Sequence, residues 1–366
     1  MWWLHLGKVR AFADESVFTV DPAMGTGTFL QTVLEHVAER VTDEDGPGAV
    51  AGALTEASSR MAGFEIQMGP YAVAELRVAD ILAAHGAQVP AKGVQLFVAD
   101  TLEDPYVAHR ELASMFNAIS ESRRRANEVK SSQDVTVVIG NPPYHEQAKG
   151  RGGWVEAGSE ATAGKGKARG ILQDWKDPDT AQHFHNLNNM WTYFWRWATW
   201  KVWESTPLSL ESLPDAGIVC FITPSAYLAG PGYTGMRQYL REWASEGWVI
   251  DLTPEGQTPD VPTRIFPQVR QPLAIGLFMR APSATKAVPA ELHYTVVTGR
   301  RREKFAALAE ISIRSTVWRS SPGKWCSDPS LIGQAVRAGK ELVVTSSVLV
   351  SGTRLRRHRA RTSRPR

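Results

Sequence analysis

The chain reads as an α/β protein built on a mostly parallel sheet with helices on both faces. Short β-branched or aromatic runs alternate along it with amphipathic stretches long enough for helices. A glycine-rich turn joins the first of these runs directly to a helical stretch. One run, Val135 to Ile139, is apolar throughout, as a strand covered on both faces must be. With 366 residues, 43% of them hydrophobic, the chain has enough apolar surface for one large core or two modest ones.

The elements follow in order. Val17 to Val20 is a first strand, ending at Asp21-Pro22 and passing through Gly25 and Gly27 into a helix. A helical stretch around Gly52–Ala62 leads to a short strand ending at Gly63-Phe64-Glu65. Pro70 to Ala84 carries Ala72, Val73, Leu76, Ala79 and Leu82 near a 3.6-residue period and reads as helix. Val94 to Ala99 is the third strand, ending at Asp100, and Val107 to Val129 is largely helical and charged. The apolar fourth strand ends in Gly140-Asn141-Pro142-Pro143-Tyr144. Residues 149–170 are dominated by glycine, lysine and alanine and read as a mobile surface loop. In Asn186 to Trp203, Trp191, Phe194, Trp195 and Trp203 share one helical face, which suits core packing. Gly217–Thr223, Trp248–Leu252 and Leu273–Met279 are further strands, Gly235–Ala244 a helix, and Leu292–Val297 a candidate strand. Beyond Thr298 the pattern weakens.

Composition excludes several classes. Cys220 and Cys326 are the only cysteines, too few for a disulfide framework or a zinc site of their own. The apolar start, Met1 to Leu6, is too short to span a bilayer and meets Lys8 and Arg10 at once, so a cytoplasmic protein without a membrane partner is expected. The net charge of +3 rests on seven arginines in the last stretch, Arg354 to Arg366; the rest of the chain is slightly acidic. A nucleic-acid surface must therefore be a local patch. The tail itself, 353–366, has the composition of a disordered basic segment.

Four positions carry candidate chemistry. In Asp21-Pro22-Ala23-Met24-Gly25-Thr26-Gly27-Thr28-Phe29-Leu30, the glycines let backbone amides approach a ligand at a helix start. The preceding Asp21 suits a ligand with a positive amino group. Glu65, at the second strand's end, can accept from ribose hydroxyls, and Asp100, at the third's, from an adenine amino group. Each alone is equally an ordinary turn or surface carboxylate. Together they place acidic residues at the ends of three successive strands, on the edge where open α/β sheets bind ligands. Asn141-Pro142-Pro143-Tyr144 is the most specific signal. Its two prolines stiffen the backbone, so the Asn141 side-chain oxygen and the Pro142 carbonyl present two fixed acceptors to a planar amine. Tyr144 offers a face for a base turned out of its stack.

These motifs resemble the gamma group of amino-methyltransferases, specifically the adenine methyltransferase module of type ISP and related fused restriction–modification enzymes. Asp21–Leu30 is similar to that group's first cofactor motif, and Val138–Tyr144 to its catalytic motif. Phe64-Glu65, Ala99–Leu102, Phe221–Leu228 and Gly235–Leu252 fall where further family segments fall, so the resemblance covers roughly Phe12 to Arg280. It implies a Rossmann-like fold with a mostly parallel seven-stranded sheet, and S-adenosyl-L-methionine as cofactor. Asp21, Ala23, Gly25, Gly27, Thr28, Phe29, Glu65, Asp100 and Thr101 would line the cofactor, and Asn141, Pro142, Pro143 and Tyr144 would hold a flipped adenine for N6 methylation without a metal. Residues 1–282 would form the catalytic domain and 283–366 a truncated extension, possible start of a target-recognition region. The implied partners are double-stranded DNA and a separate specificity or nuclease/helicase polypeptide. The family's segment ahead of the first glycine-rich turn has no counterpart in Met1–Val20, so the chain reads as a fragment. Methylation of RNA or protein glutamine, and DNA or partner binding without turnover, stay open as alternatives. A nicotinamide-dependent oxidoreductase would have no use for the Asn-Pro-Pro-Tyr turn.

Overall fold

Among the described residues, the alternation of apolar strands with helices produces a nine-stranded sheet in the order β3-β2-β1-β4-β5-β7-β6-β8-β9. A computed structural model of the chain describes residues 10–91, 93–106, 117–161, 168–205, 216–256, 263–282, 288–311, 316 and 318–320. The strands are β1 (Thr19–Asp21), β2 (Met61–Glu65), β3 (Gln95–Val98), β4 (Val137–Gly140), β5 (Gly217–Pro224), β6 (Glu246–Asp251), β7 (Leu273–Arg280), β8 (Glu291–Val296) and β9 (Arg319–Ser320). The helices are α1 (Thr28–Asp45), α2 (Val50–Ser59), α3 (Met68–Ala84), α4 (Asn117–Ser132), α5 (Gly153–Ala157), α6 (Met190–Trp203), α7 (Thr234–Trp243) and α8 (Arg301–Glu310). None of them is long and apolar enough to cross a membrane.

β1 to β5 are mutually parallel, β7 runs antiparallel between β5 and β6, and β8 is parallel to β6. Strand order reverses at β1, which lies between β2 and β4. The ends of β1 and β4 therefore open onto a topological switch point, the crevice in which such sheets bind ligands. This is the Rossmann-like methyltransferase fold that the sequence predicts, with nine strands instead of seven. The difference arises after β7: Leu292 and Tyr294 of β8 are buried, and this apolar alternation suffices to add a strand beside β6. β8 lies past the boundary drawn at residue 282 and is hydrogen-bonded into the same sheet.

The core is widest under α6. The sequence suggests one buried face for this helix, but every residue from Trp191 to Trp203 is buried. A helix apolar only on one side would leave polar residues in water; here Arg196 is buried instead and satisfied by Asp174, Glu204 and the Ile171 carbonyl. Trp195 packs edge-on against Phe221 and Phe278, and its indole N–H donates to Thr223 Oγ1 at 3.0 Å.

The segment 149–170 is not the bare mobile loop its composition suggests. Within its described part, α5 carries Trp154 and Val155 into the core, and Trp154 meets Trp200 with ring centroids 4.6 Å apart. Two large apolar residues in a glycine-rich run are enough to anchor it. Residues 162–167 of that segment, the start of the helix expected from Val107, and the arginine-rich tail lie outside the described residues.

Replacing Trp195 by Ala empties a fully buried site and orphans Thr223. Chemical denaturation is expected to show a loss of about 3–5 kcal/mol, and a loss below about 1 kcal/mol would mean that α6 is not the core helix.

Candidate active site

The carboxyl ends of β1, β2, β3 and β4 bring the sequence-predicted residues to one edge. The glycine-rich turn after β1 closes because Gly25 and Gly27 take φ of +53° and +77°, a region unfavourable for residues with a Cβ. A Cβ on Gly27 would also lie 2.9 Å from the Ala74 Cβ, so the turn can rest directly on α3. Nothing lies within 4 Å of where a Cβ on Gly25 would point, which leaves open space above this turn. Arg77 of α3 holds the outside of the turn by donating to the Thr26 carbonyl and to the Thr28 hydroxyl at 3.0 Å. Phe29 is half-buried at the start of α1.

Glu65, ending β2, accepts from the Gly25 amide at 3.1 Å and the Gln67 amide at 2.7 Å. It therefore ties the end of β2 to the glycine turn. Asp100 accepts from the Leu102 amide, and the Thr101 hydroxyl donates to the Pro22 carbonyl, joining the end of β3 to the same turn. Lys130 of α4, wholly buried, donates to the Asp100 and Glu103 carbonyls and fixes this corner from below. Burial brings its ammonium down to about 8.

Asp21 is the hinge of the arrangement. Its side chain is fully buried, with one oxygen accepting from the Ala23 amide at 3.1 Å. The other oxygen has no hydrogen-bond partner. A Cβ on Gly140, the last residue of β4, would meet the Asp21 Oδ1 at 2.8 Å. The glycine-rich turn and the Asn141 turn are thus in contact through this carboxylate, and only glycine fits at 140. Burial raises the Asp21 carboxyl to about 7; the Ala23 hydrogen bond opposes this and the Glu65 charge adds to it.

Beyond Gly140, Pro142 is buried and Pro143 exposed. The Tyr144 hydroxyl donates to the Asn141 side-chain oxygen, and its ring packs with Leu252, Ile265 and Leu273. Burial pushes the Tyr144 phenol up. His145 to Ala148 is stitched to the start of α6: the Met190 amide donates to the His145 carbonyl, and Gln147 donates to the Asn189 side chain. Sequence reasoning missed the supports from the β6–β7 connection. Gln271 donates to the Tyr144 carbonyl, and Ile265 and Phe266 pack in the cluster that holds the Tyr144 ring. Their only sequence signal was an aromatic and a glutamine in a loop. Lys130 and Arg77 were equally hidden, the first just past the helical stretch drawn to Val129 and the second inside the helix Pro70–Ala84. A cavity of about 790 Å³ sits at the opposite edge, beside Val17, Phe18, Arg60 and Asp134, and none of the motif residues lines it.

Fold and site together define a Rossmann-like α/β unit with a polar crevice, the candidate ligand site, at its switch point. No family model and no curated protein matches the chain. Solved structures do match. The DNA-bound ATP-dependent type ISP restriction-modification enzyme LlaBIII matches over 81% of this chain and 19% of its own, at a TM-score of 0.62 and 22% identity. A nuclease-deletion mutant of the type ISP enzyme LlaGI, in complex with a DNA substrate mimic, matches over 86% and 24%, at 0.63 and 19%. A DrdV–DNA complex matches over 86% and 28%, at 0.61 and 21%. The chain shares its fold with part of these enzymes and spans less than a third of each.

The raised Asp21 carboxyl has a measurable consequence. The unfolded chain sheds this proton near pH 4, the folded chain at about 7. The folded state holds the extra proton in between, so stability falls as pH rises through that window. Asp21→Asn removes this decline. Urea melts are expected to show the variant gaining on wild type from about pH 4 to about pH 8; a constant difference would refute a desolvated carboxyl.

Proposed function

We propose that this chain is the S-adenosyl-L-methionine-binding, catalytic part of a DNA methyltransferase that modifies the N6 amino group of an adenine turned out of the duplex. It would serve a restriction–modification or phage-defence system, with double-stranded DNA and a specificity or nuclease/helicase polypeptide as partners. One observation carries the reading: the buried Asp21 carboxylate touches the last residue of β4, so a cradle for a cationic ligand adjoins the Asn-Pro-Pro-Tyr turn.

The residues present fit the cofactor. The unpartnered Asp21 oxygen suits its ammonium group, and the open space above Gly25 leaves room for its methionine part. Ala23, Gly27, Thr28 and Phe29 complete that turn. Glu65, already accepting two amides, has lone pairs left for ribose hydroxyls, and Asp100 with Thr101 stands where the adenine would lie. When bound, the cofactor supplies an electrophilic sulfonium methyl.

The chain's own work is to position and polarise the acceptor. The Asn141 side-chain oxygen and the Pro142 carbonyl would accept hydrogen bonds from the two N6–H groups and so leave the nitrogen lone pair free to react, the surplus N6 proton passing to solvent after transfer. Pro143 keeps that corner stiff. The Asn141 oxygen has a second lone pair besides the one engaged by the Tyr144 hydroxyl. The Tyr144 ring, backed by the apolar cluster on β7, provides the stacking face. A low-dielectric corner strengthens both hydrogen bonds, and alignment of the two ligands contributes the rest.

Asn141→Ala removes one of the two fixed acceptors. Transfer of tritiated methyl groups to duplex DNA is expected to fall by about a hundredfold or more, with cofactor affinity nearly unchanged. Nucleoside analysis of the wild-type product should give N6-methyladenine. Label appearing in protein glutamine or RNA and not in DNA would overturn the proposal.

A further inference from the structure

The carboxyl edge continues past the candidate active site, and its far end is basic. β8 is parallel to β6, so it too ends on the edge that carries Asp21 and Asn141. The chain then turns through Gly299 into Arg300, Arg301 and Arg302 at the start of α8. Two anchors set the direction of this helix. Lys304, fully buried, donates to the Leu252 carbonyl and pairs with Glu255, while Leu308 joins the apolar cluster that holds the Tyr144 ring. A fourth arginine, Arg270, lies on the β6–β7 connection between Val269, which packs on that cluster, and Gln271, which donates to the Tyr144 carbonyl.

All four guanidinium groups are exposed, and none forms an ion pair with a described residue. Arg301 lies over the Phe305 ring, 5.5 Å from its centroid. Arg10 and Arg124, also exposed, are by contrast paired with carboxylates. Three cations at the start of a helix also oppose its dipole, which favours negative charge there. Among the described residues, four positive charges on one rim thus lack an ion-pair partner, three of them at a cost to α8. β4 and β8 are four strands apart, so the rim extends about 19 Å from the catalytic turn. That is about half a turn of duplex DNA.

We propose that Arg270, Arg300, Arg301 and Arg302 form a phosphate-binding rim that seats the backbone of the substrate duplex alongside the candidate base pocket. The proposal rests on the DNA methyltransferase reading and deepens it by assigning the surface that holds the duplex. Arginine suits this role because its planar fork meets phosphate oxygens in pairs. Such contacts position the duplex and carry no sequence preference.

The test is fluorescence anisotropy of the full chain with a duplex of about 30 base pairs, titrated at several salt concentrations. Wild type is compared with Arg270→Gln and with a combined Arg300→Gln, Arg301→Gln, Arg302→Gln variant. Each phosphate contact removed should flatten the dependence of log affinity on log salt by about 0.9. The combined variant should therefore lose about 2 to 3 from the slope, equally for unrelated sequences. Its melting temperature should match or exceed that of wild type, since α8 loses three opposed charges. Wild-type slope and affinity in both variants would overturn the rim, as would a wild-type chain that binds no duplex or prefers single-stranded RNA. Cofactor binding and methyl transfer by wild type are read separately. Loss of both condemns the methyltransferase reading, whereas intact transfer with unaltered binding in the variants condemns only the rim.

Discussion

The contact between the Asp21 carboxylate and Gly140 holds the rest of the site in place. One oxygen is spent on the Ala23 amide, which closes the glycine-rich turn. The same oxygen lies where any side chain on residue 140 would collide, so β1 and β4 end as close neighbours. The other oxygen is buried and unpartnered, a state that costs free energy until a ligand donates to it. A bound cation would convert that cost into affinity. The separate loops after four strands then answer to one centre: Glu65 and Thr101 tie the ends of β2 and β3 to the glycine turn, and Gly140 brings in the Asn141 turn.

Rigidity at this edge comes from behind. Lys130 reaches up from α4 to the Asp100 and Glu103 carbonyls, and the start of α6 is laced to the segment after Tyr144 through Asn189. α6 itself is immobilised by aromatic packing on all sides and by the buried Arg196. Hydrogen-bonded supports of this kind keep a reacting geometry fixed without touching the reactants.

Much of the fold was legible because its signals are local. Asp21-Pro22 through Gly27, the apolar β4 and the diproline corner each announce a strand end or a turn within a few residues. β8 was half legible: its alternation is visible, but its place beside β6 depends on partners distant in sequence. The segment around α5 was misjudged because average composition hid two anchoring residues, Trp154 and Val155. Lys130, Arg77 and Gln271 were illegible for a different reason. Each acts through a long-range hydrogen bond, and no periodicity marks a polar residue that folds inward. Asp21, Glu65 and Asp100 lie at or just past the strand ends where the sequence places them. Their convergence on Asp21 was a property of packing alone.

Calorimetry of S-adenosyl-L-methionine binding at about pH 6.5, repeated in buffers of different ionisation enthalpy, tests this coupling most directly. With Asp21 titrating at about 7, the free protein carries its proton for most of the time at that pH. A cationic ligand should expel it, so binding should release a large fraction of one proton, and Asp21→Asn should abolish that release. Cofactor binding with no proton exchange, or with the same release in the variant, would contradict a buried carboxylate at the centre of the site.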